Sequence, residues 1–292
     1  MVAYEVATKQ GRMAMSTRRS SELLEANGIK LYCEVQGSGS PVIFISGATG
    51  DAGHFERVAE FLSDEFTVVT YDRRGNSRSP RPDGWGSTSP EQQSDDAAAL
   101  IEALGISPAA IFAASSGAII GLDLIIRHPG VVKGAILQEP PMMSVLVNPR
   151  EATRPLREAV EGGMARGGPP EAVEEFLRVV AGDVAFENVN PQLRERMLGN
   201  GETFLGLEFG TLNSYRPDDA TLAGIEVPVR VVAGAESAPF FIEASRWLAD
   251  QLDVELKMLS GAHTPYFDRP EEMAEEIRPL LKQLSKSGRS RR

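Results

Sequence analysis

The sequence predicts an α/β fold, a mostly parallel sheet flanked by helices with a helical lid inserted before its last strands. Three observations predict it. β-rich runs alternate with helical stretches across short connections, the pattern of a parallel sheet covered on both faces. Several runs are continuously apolar, as strands buried on both sides must be. The alternation then lapses over 140–222 and resumes at 227.

The elements follow in order. "IKLYCEV" (29–35) alternates Ile29, Leu31, Cys33 and Val35, which suits a half-buried strand. "PVIFIS" (41–46) is a continuous apolar run ended by Gly47, and "HFERVAEFLS" has helical spacing. "FTVVTYD" (66–72) is a further strand. In "STSPEQQSDDAAALIEALG", Ser89 is placed to cap a helix, with Pro90 at its first position, Gln92 as capping partner and Gly105 as its stop. "AAIFAA" (109–114) is a strand, residues 116–127 are a helix halted at His128-Pro129, and "VKGAILQ" (132–138) is a strand. After the interruption come "VPVRVVAG" (227–234), a helix near 241–251, the strand "DVELKML" and a last helix, "PEEMAEEIRPLLKQL".

The predicted organisation is a core over 23–139 and 223–284, with the lid at 140–222. That stretch holds prolines, spacers such as "EGGMARGGPP" and helical segments without a β-run. A structureless loop of that length does not suit a compact domain. Residues 1–22 read as a disordered extension, with the fold beginning near Leu23, and the basic "SKSGRSRR" (285–292) as a frayed tail.

Composition narrows the function. A net charge of −11 argues against a nucleic-acid surface. No run approaches the roughly 20 apolar residues of a membrane span, and the first residues carry no apolar signal core. Cys33 is the single cysteine, so no internal disulfide forms. A cytoplasmic setting is expected, and a homodimer is compatible with it. "GSGSP" and "GATGDAG" lack a phosphate-loop lysine and a dinucleotide context, and no His/Cys/carboxylate cluster has ligand spacing. Neither a cofactor nor a metal is expected.

The chemistry gathers at "FAASSGAIIG" (112–121), where Ala113-Ala114-Ser115-Ser116-Gly117 follows a strand and opens a helix. Such an elbow, flanked by small residues, exposes a serine hydroxyl above the sheet. The amide of Ser116 then sits at a helix N-terminus, where unpaired N–H groups favour an anion. Ala48 in the "SGATG" loop is the expected second donor of an oxyanion hole. Alone, the motif also suits a closely packed helix cap.

A serine nucleophile needs a base, and there are three histidines. His128 ends a helix, a surface role. His54 begins one, compatible with capping, packing or lining a pocket. His263, in "LSGAHTPYFDRPEE", follows the last strand, the position of a catalytic histidine in the chain order serine, acid, histidine.

Together "FISGATG", "YDRRGNSRS", "FAASSGAIIGLDLIIRHP", "VVKGAILQEPP" and "GAHTPYFDRPEE" resemble the α/β-hydrolase superfamily over 23–284. Within it, "SSGA", "QEPP" and "GAHTPY" are most similar to the zearalenone lactonase group. "YDRRGNSRS" is also similar to esterases and cofactor-free haloperoxidase-type members. The resemblance implies an α/β-hydrolase fold and a Ser115–His263 pair completed by an acid. Most of the superfamily supplies the acid after the strand that follows the lid, where "AGAESAPFF" offers Glu236. The lactonase group supplies it one strand earlier, where "LQEPP" holds Glu139. Glu139 is preferred and Glu236 is the alternative. Asp72, Arg73 and Arg74 resemble the superfamily's structural turn.

The expected reaction is hydrolysis of an ester or lactone of a bulky apolar substrate through an acyl-enzyme. Gly47, Met142, Met143, Phe240, Phe241 and Tyr266 are the candidate pocket residues, and Met164, Phe176, Phe186, Phe204, Phe209 and Pro239 are further apolar candidates, most of them expected to be lid core. Perhydrolase or haloperoxidase-type chemistry, C–C bond hydrolysis and non-catalytic ligand binding on the same fold are the alternatives.

Overall fold

A computed structural model describes residues 19–286. Within them β1 (Arg19–Ala26), β2 (Ile29–Gly37), β3 (Ser40–Ile45), β4 (Phe66–Tyr71), β5 (Ala109–Ala114), β6 (Val132–Gln138), β7 (Val229–Gly234) and β8 (Leu256–Leu259) form one sheet. Its order is β1-β2-β4-β3-β5-β6-β7-β8. β2 pairs antiparallel with β1 and β4, and every other pairing is parallel. This is the mostly parallel, helix-flanked sheet expected.

β5 lies at the centre and is buried along its whole length. α1 (Glu56–Leu62), α2 (Pro90–Ala103) and α3 (Ser116–Arg127) follow β3, β4 and β5. α12 (Pro239–Gln251), α13 (Pro265–Asp268) and α14 (Pro270–Lys286) come after β7 and β8. Side-chain alternation along β6 separates the two faces. A Cβ on Gly134 would strike Leu284 of α14, whereas Leu137 meets Gly121 of α3. Ser89 caps α2 as expected, accepting from the Gln92 amide at 3.2 Å, with Pro90 at the first position.

Between β6 and β7 the chain is helical. α4 (Pro149–Ala152), α5 (Arg154–Gly167), α6 (Pro169–Ala181), α7 (Asp183–Asn188), α8 (Pro191–Gly199) and α9 (Gly201–Thr203) lead into a π-helical turn, Phe204–Glu208, then α10 (Phe209–Asn213) and α11 (Asp219–Ala223). Phe176, Phe204 and Phe209 form an aromatic cluster, with ring centroids 5.0–5.8 Å apart. The later helices are tied to the core by polar contacts. Arg196 binds Asp51, Asn200 donates to the Thr49 carbonyl at 2.6 Å, Thr203 donates to the Gly75 carbonyl, and Tyr215 donates to Asp123 at 2.8 Å.

The structure departs from the sequence expectation at the N-terminal edge. β1 already includes Arg19–Glu22, ahead of the start expected near Leu23, because Arg19–Ala26 pairs residue for residue with β2. All but its last residues are exposed, so the strand lacks the apolar alternation that would reveal it. At the other end α14 runs to Lys286, past the expected tail boundary. Residues 1–18 and 287–292, which hold most of the expected disordered start and basic tail, lie outside the described residues. No helix among those described is long and apolar enough to cross a membrane.

Candidate active site

Parallel register brings the site to one edge of the sheet. Phe44 pairs with Phe112, Ala114 with Gln138, and Gln138 with Val232, so β3, β5, β6 and β7 end at one level. Loops leaving those ends converge there, where open α/β sheets form their crevices.

Ser115 joins β5 to α3 with φ 55° and ψ −131°. A non-glycine residue with positive φ in this region costs of order 1–3 kcal/mol, which the surroundings must hold. They hold it closely. The Ser115 amide donates to the Gln138 carbonyl at 2.8 Å, and the Ser115 carbonyl accepts from the Ala118 amide at 2.8 Å. A Cβ on Gly117 would lie 2.3 Å from the Ile45 carbonyl oxygen, and one on Gly47 would lie 2.7 Å from the Ser115 Cβ. Glycine at both positions lets the β3 loop and the start of α3 close around the serine. Ser116 is the first residue of α3, so its amide has no partner within the helix. Ala48 and Ser116 line the same small cavity as Ser115.

His263 follows β8, and its Nδ1 hydrogen-bonds Glu139 Oε2. Glu139 stands directly after β6 with φ 48°, and its Oε1 accepts from the Gly234 amide at 2.7 Å. The Gln138 side chain donates to the His263 carbonyl at 3.0 Å. The Phe241 ring stacks on the imidazole at 3.7 Å between centroids, with planes 8° apart. A carboxylate on Nδ1 assigns that nitrogen the proton and leaves Nε2 as the basic position. Glu236 is not part of this arrangement. It lies at the surface, paired with Arg269 at 3.1 Å.

The other titratable groups sit apart. His128 meets Asp95 at 2.6 Å on the surface. His54 is buried, within 3.3 Å of the Thr49 hydroxyl and stacked on Tyr266, and burial pushes its pKa down to about 4. Burial pushes the Cys33 thiol up to about 12, so it stays protonated at neutral pH. Asp72 ties loops together as expected of the turn, accepting from the Ala52 amide at 2.7 Å and from Arg78.

Beyond Ser115 lies an apolar cavity of about 20 Å³ walled by Pro141, Met143, Leu156, Phe176, Phe204, Phe209, Asn213 and Phe241. Of the pocket candidates read from sequence, Met143 and Phe241 line it. Met142 is wholly buried in the core, Phe240 packs behind Phe241 at 4.3 Å, and Tyr266 packs on Phe55 and His54. Gly47 backs the serine instead of facing the cavity. Of the further apolar candidates, Phe176, Phe204 and Phe209 face the cavity, Phe186 is buried beneath Arg178 and Arg194, and Met164 is exposed. Sequence reasoning passed over Leu156, which its position on the apolar stripe of α5 could have flagged. It also passed over Asn213, for which no sequence signal exists.

A second cavity of about 350 Å³ opens outside the first, between α5 and α10. Met143, Leu156, Phe209 and Asn213 belong to the walls of both and separate them. A hydroxyl, an oriented imidazole–carboxylate pair and a helix-start amide near an apolar cavity are the kinds of group that acyl transfer uses.

Residues 42–276 match the family model described as "Alpha/beta hydrolase family". The uncharacterized hydrolase YraK of Bacillus subtilis is 32% identical over 90% of this chain and 96% of its own length. The zearalenone hydrolase of Cladophialophora bantiana is 26% identical over 89% of this chain and 96% of its own. Among solved structures, the enol-lactonase from Burkholderia xenovorans superposes with a TM-score of 0.73 at 19% identity, covering 89% of this chain and all of that one.

Proposed function

The chain belongs to the alpha/beta hydrolase family, and from that premise we propose that it is a serine hydrolase of a carboxylic ester or lactone with a bulky apolar part. The observation that carries this reading is the buried His263–Glu139 pair, held at the sheet edge where Ser115 stands on its strained elbow.

Each group has a role. His263 Nε2 takes the Ser115 proton as Oγ attacks the carbonyl. The amides of Ala48 and Ser116 receive the developing oxyanion, where each well-placed donor stabilises the transition state by about 3 kcal/mol. Glu139 keeps the imidazole in the required tautomer and stabilises its cation. His263 then protonates the leaving alcohol, and water, deprotonated by His263, releases the acyl group. In a lactone the alcohol remains tethered to the acyl chain, so a single hydroxy acid is formed.

The helices between β6 and β7 act as a lid and define the substrate. The inner cavity holds about 20 Å³, roughly one water. The outer one, at about 350 Å³, is of the size that small-molecule sites have. A bulky substrate therefore spans both, displacing the Leu156 and Phe209 side chains between them. The likeness to a zearalenone hydrolase and to an enol-lactonase fold favours a lactone.

Mass spectrometry of phenolic macrolactones, small lactones and linear aryl esters, with wild type and Ser115→Ala, tests the reading. Gain of one water on a lactone, lost in Ser115→Ala, is the expected result. Turnover of linear esters alone would remove the lactone, and turnover that survives Ser115→Ala would remove the serine mechanism.

A further inference from the structure

Arg73 is buried to 1% exposure in the core, and its partners come from three parts of the chain. Its Nη1 donates to Glu208 Oε1 at 2.7 Å and to Gln93 Oε1 at 2.6 Å. Its Nη2 donates to Glu208 Oε2 at 2.8 Å and to the Gly47 carbonyl at 2.8 Å. Glu208 lies in the π-helical turn of the inserted helices and is wholly buried. Gln93 and Asn76 also donate to Glu208 Oε1, at 3.0 and 3.1 Å.

The Gly47 carbonyl and the Ala48 N–H belong to one peptide unit. That unit is planar and trans, so fixing the direction of its C=O fixes the opposite direction of its N–H. A guanidinium on the oxygen also polarises the amide and makes its N–H a stronger donor, as hydrogen-bonded chains do in a low-dielectric interior. The Gly50 amide accompanies it, donating to the same oxygen at 3.1 Å. Arg73 in turn is held by the fork-to-fork geometry of a bidentate carboxylate, which gives direction as well as attraction. Glu208 is the only carboxylate hydrogen-bonded to Arg73 among the described residues.

We propose that Arg73 is a positioning residue for the oxyanion hole, oriented by Glu208, so that seating the π-helical turn on the core completes the Ala48 donor. The inference rests on the serine-hydrolase reading and deepens it. The inserted helices would then supply part of the catalytic electrostatics as well as the pocket wall.

The test compares Arg73→Lys, Glu208→Gln and the double variant Arg73→Met/Glu208→Met with wild type. The double variant removes both charges together and so avoids stranding a buried one. Three quantities are read: thermal unfolding, kcat and KM on an aryl ester of a medium-chain acid, and affinity for an alkyl trifluoromethyl ketone, whose serine adduct carries the oxyanion. The expected result is a folded double variant with kcat lowered about 10²-fold, in the range seen on losing one oxyanion donor, and KM within about threefold. Ketone affinity falls by the same factor, and Arg73→Lys, which keeps the charge without the fork, recovers only part of the rate. Unchanged kcat and ketone affinity in a folded double variant, or a change in KM alone, would overturn the inference. Labelling of wild-type Ser115 by a fluorophosphonate separates the two readings: its absence would remove the serine mechanism and the inference with it, while labelling with unaffected variants would remove the inference alone.

Discussion

Glu139 joins two strand ends through one side chain, accepting the Gly234 amide at 2.7 Å on one oxygen while the other meets His263. The link to β7 fixes the carboxylate, and the carboxylate fixes the ring. Glu139→Gln replaces the acceptor of the Nδ1 proton with a group that can present a donor, which favours the other tautomer. A loss in kcat of about 10²–10⁴-fold is expected, by the reasoning that applies to a triad acid. Glu236→Gln removes only an exposed pair with Arg269, so kcat should stay within about twofold of wild type. Steady-state kinetics of both variants decide the acid; the reverse pattern would return the role to Glu236.

Ser115 is held at φ 55°, which glycine adopts without strain. Ser115→Gly should therefore abolish hydrolysis yet raise stability by about 1 kcal/mol, a gain of roughly 2–4 °C in Tm for a domain of this size. Ser115→Ala, which keeps a Cβ, should lose activity without that gain. Calorimetry of the pair measures the strain directly.

Gly47→Ala would place a Cβ 2.7 Å from the Ser115 Cβ and 3.0 Å from the Ala114 carbonyl. Both neighbours are held by hydrogen-bonded backbone, so the loop must move instead. A cost of about 1–3 kcal/mol in stability is expected for such overpacking, with kcat falling much more than KM rises as Ala48 leaves its place. Denaturant titration and kinetics on one ester check both parts.

His54 gives the fold a dependence on pH. Its pKa is about 4 in the folded protein, lowered first by burial and by Arg73 and Arg196, against the opposing pull of Asp51. The unfolded chain titrates near the ordinary 6.5 and so binds more protons between pH 4 and 6.5. The neutral imidazole's contribution is therefore complete above pH 6.5 and is lost as pH falls toward 4, by roughly 3 kcal/mol at most. Tm followed from pH 7 to pH 4 should fall, and the slope should flatten in His54→Gln whatever that variant's starting stability. An equal slope in both would refute the assignment.

The sheet was legible where burial and sequence pattern coincide. β5 and most of β3 are buried on both faces and read as unbroken apolar runs, Pro41–Ile45 and Ala109–Ala114. β1 did not read that way, because its side chains face solvent, although Asn27 and Gly28 carried the hairpin signal with φ of 47° and 72°. Ser115 and His263 could be singled out because the roles proposed for them follow from position in a strand–helix order. Glu139 came only through likeness to a family. Nothing local marks Arg73 and Glu208 as partners, since 135 residues separate them and only the seating of the inserted helices brings them together. Nor does an apolar residue's type tell which way it faces: Met143 reached the cavity and its neighbour Met142 the core.

Leu156 is 3% exposed and stands between the two cavities with Phe209. Truncating it to alanine removes three carbons from that wall, at a cost of about 2–4 kcal/mol if the neighbours do not collapse. The space gained joins the inner cavity to the outer one. Leu156→Ala should therefore shift preference toward longer or branched acyl groups, with kcat/KM for the bulkiest ester of a graded series rising relative to acetate. Leu156→Trp should do the opposite, filling the passage and confining turnover to the smallest esters. Because neither substitution adds or removes an ionisable group, both variants should keep the wild-type pH profile on acetate. A change in that profile, or an unchanged chain-length preference in both variants, would mean that substrate reaches Ser115 by another route.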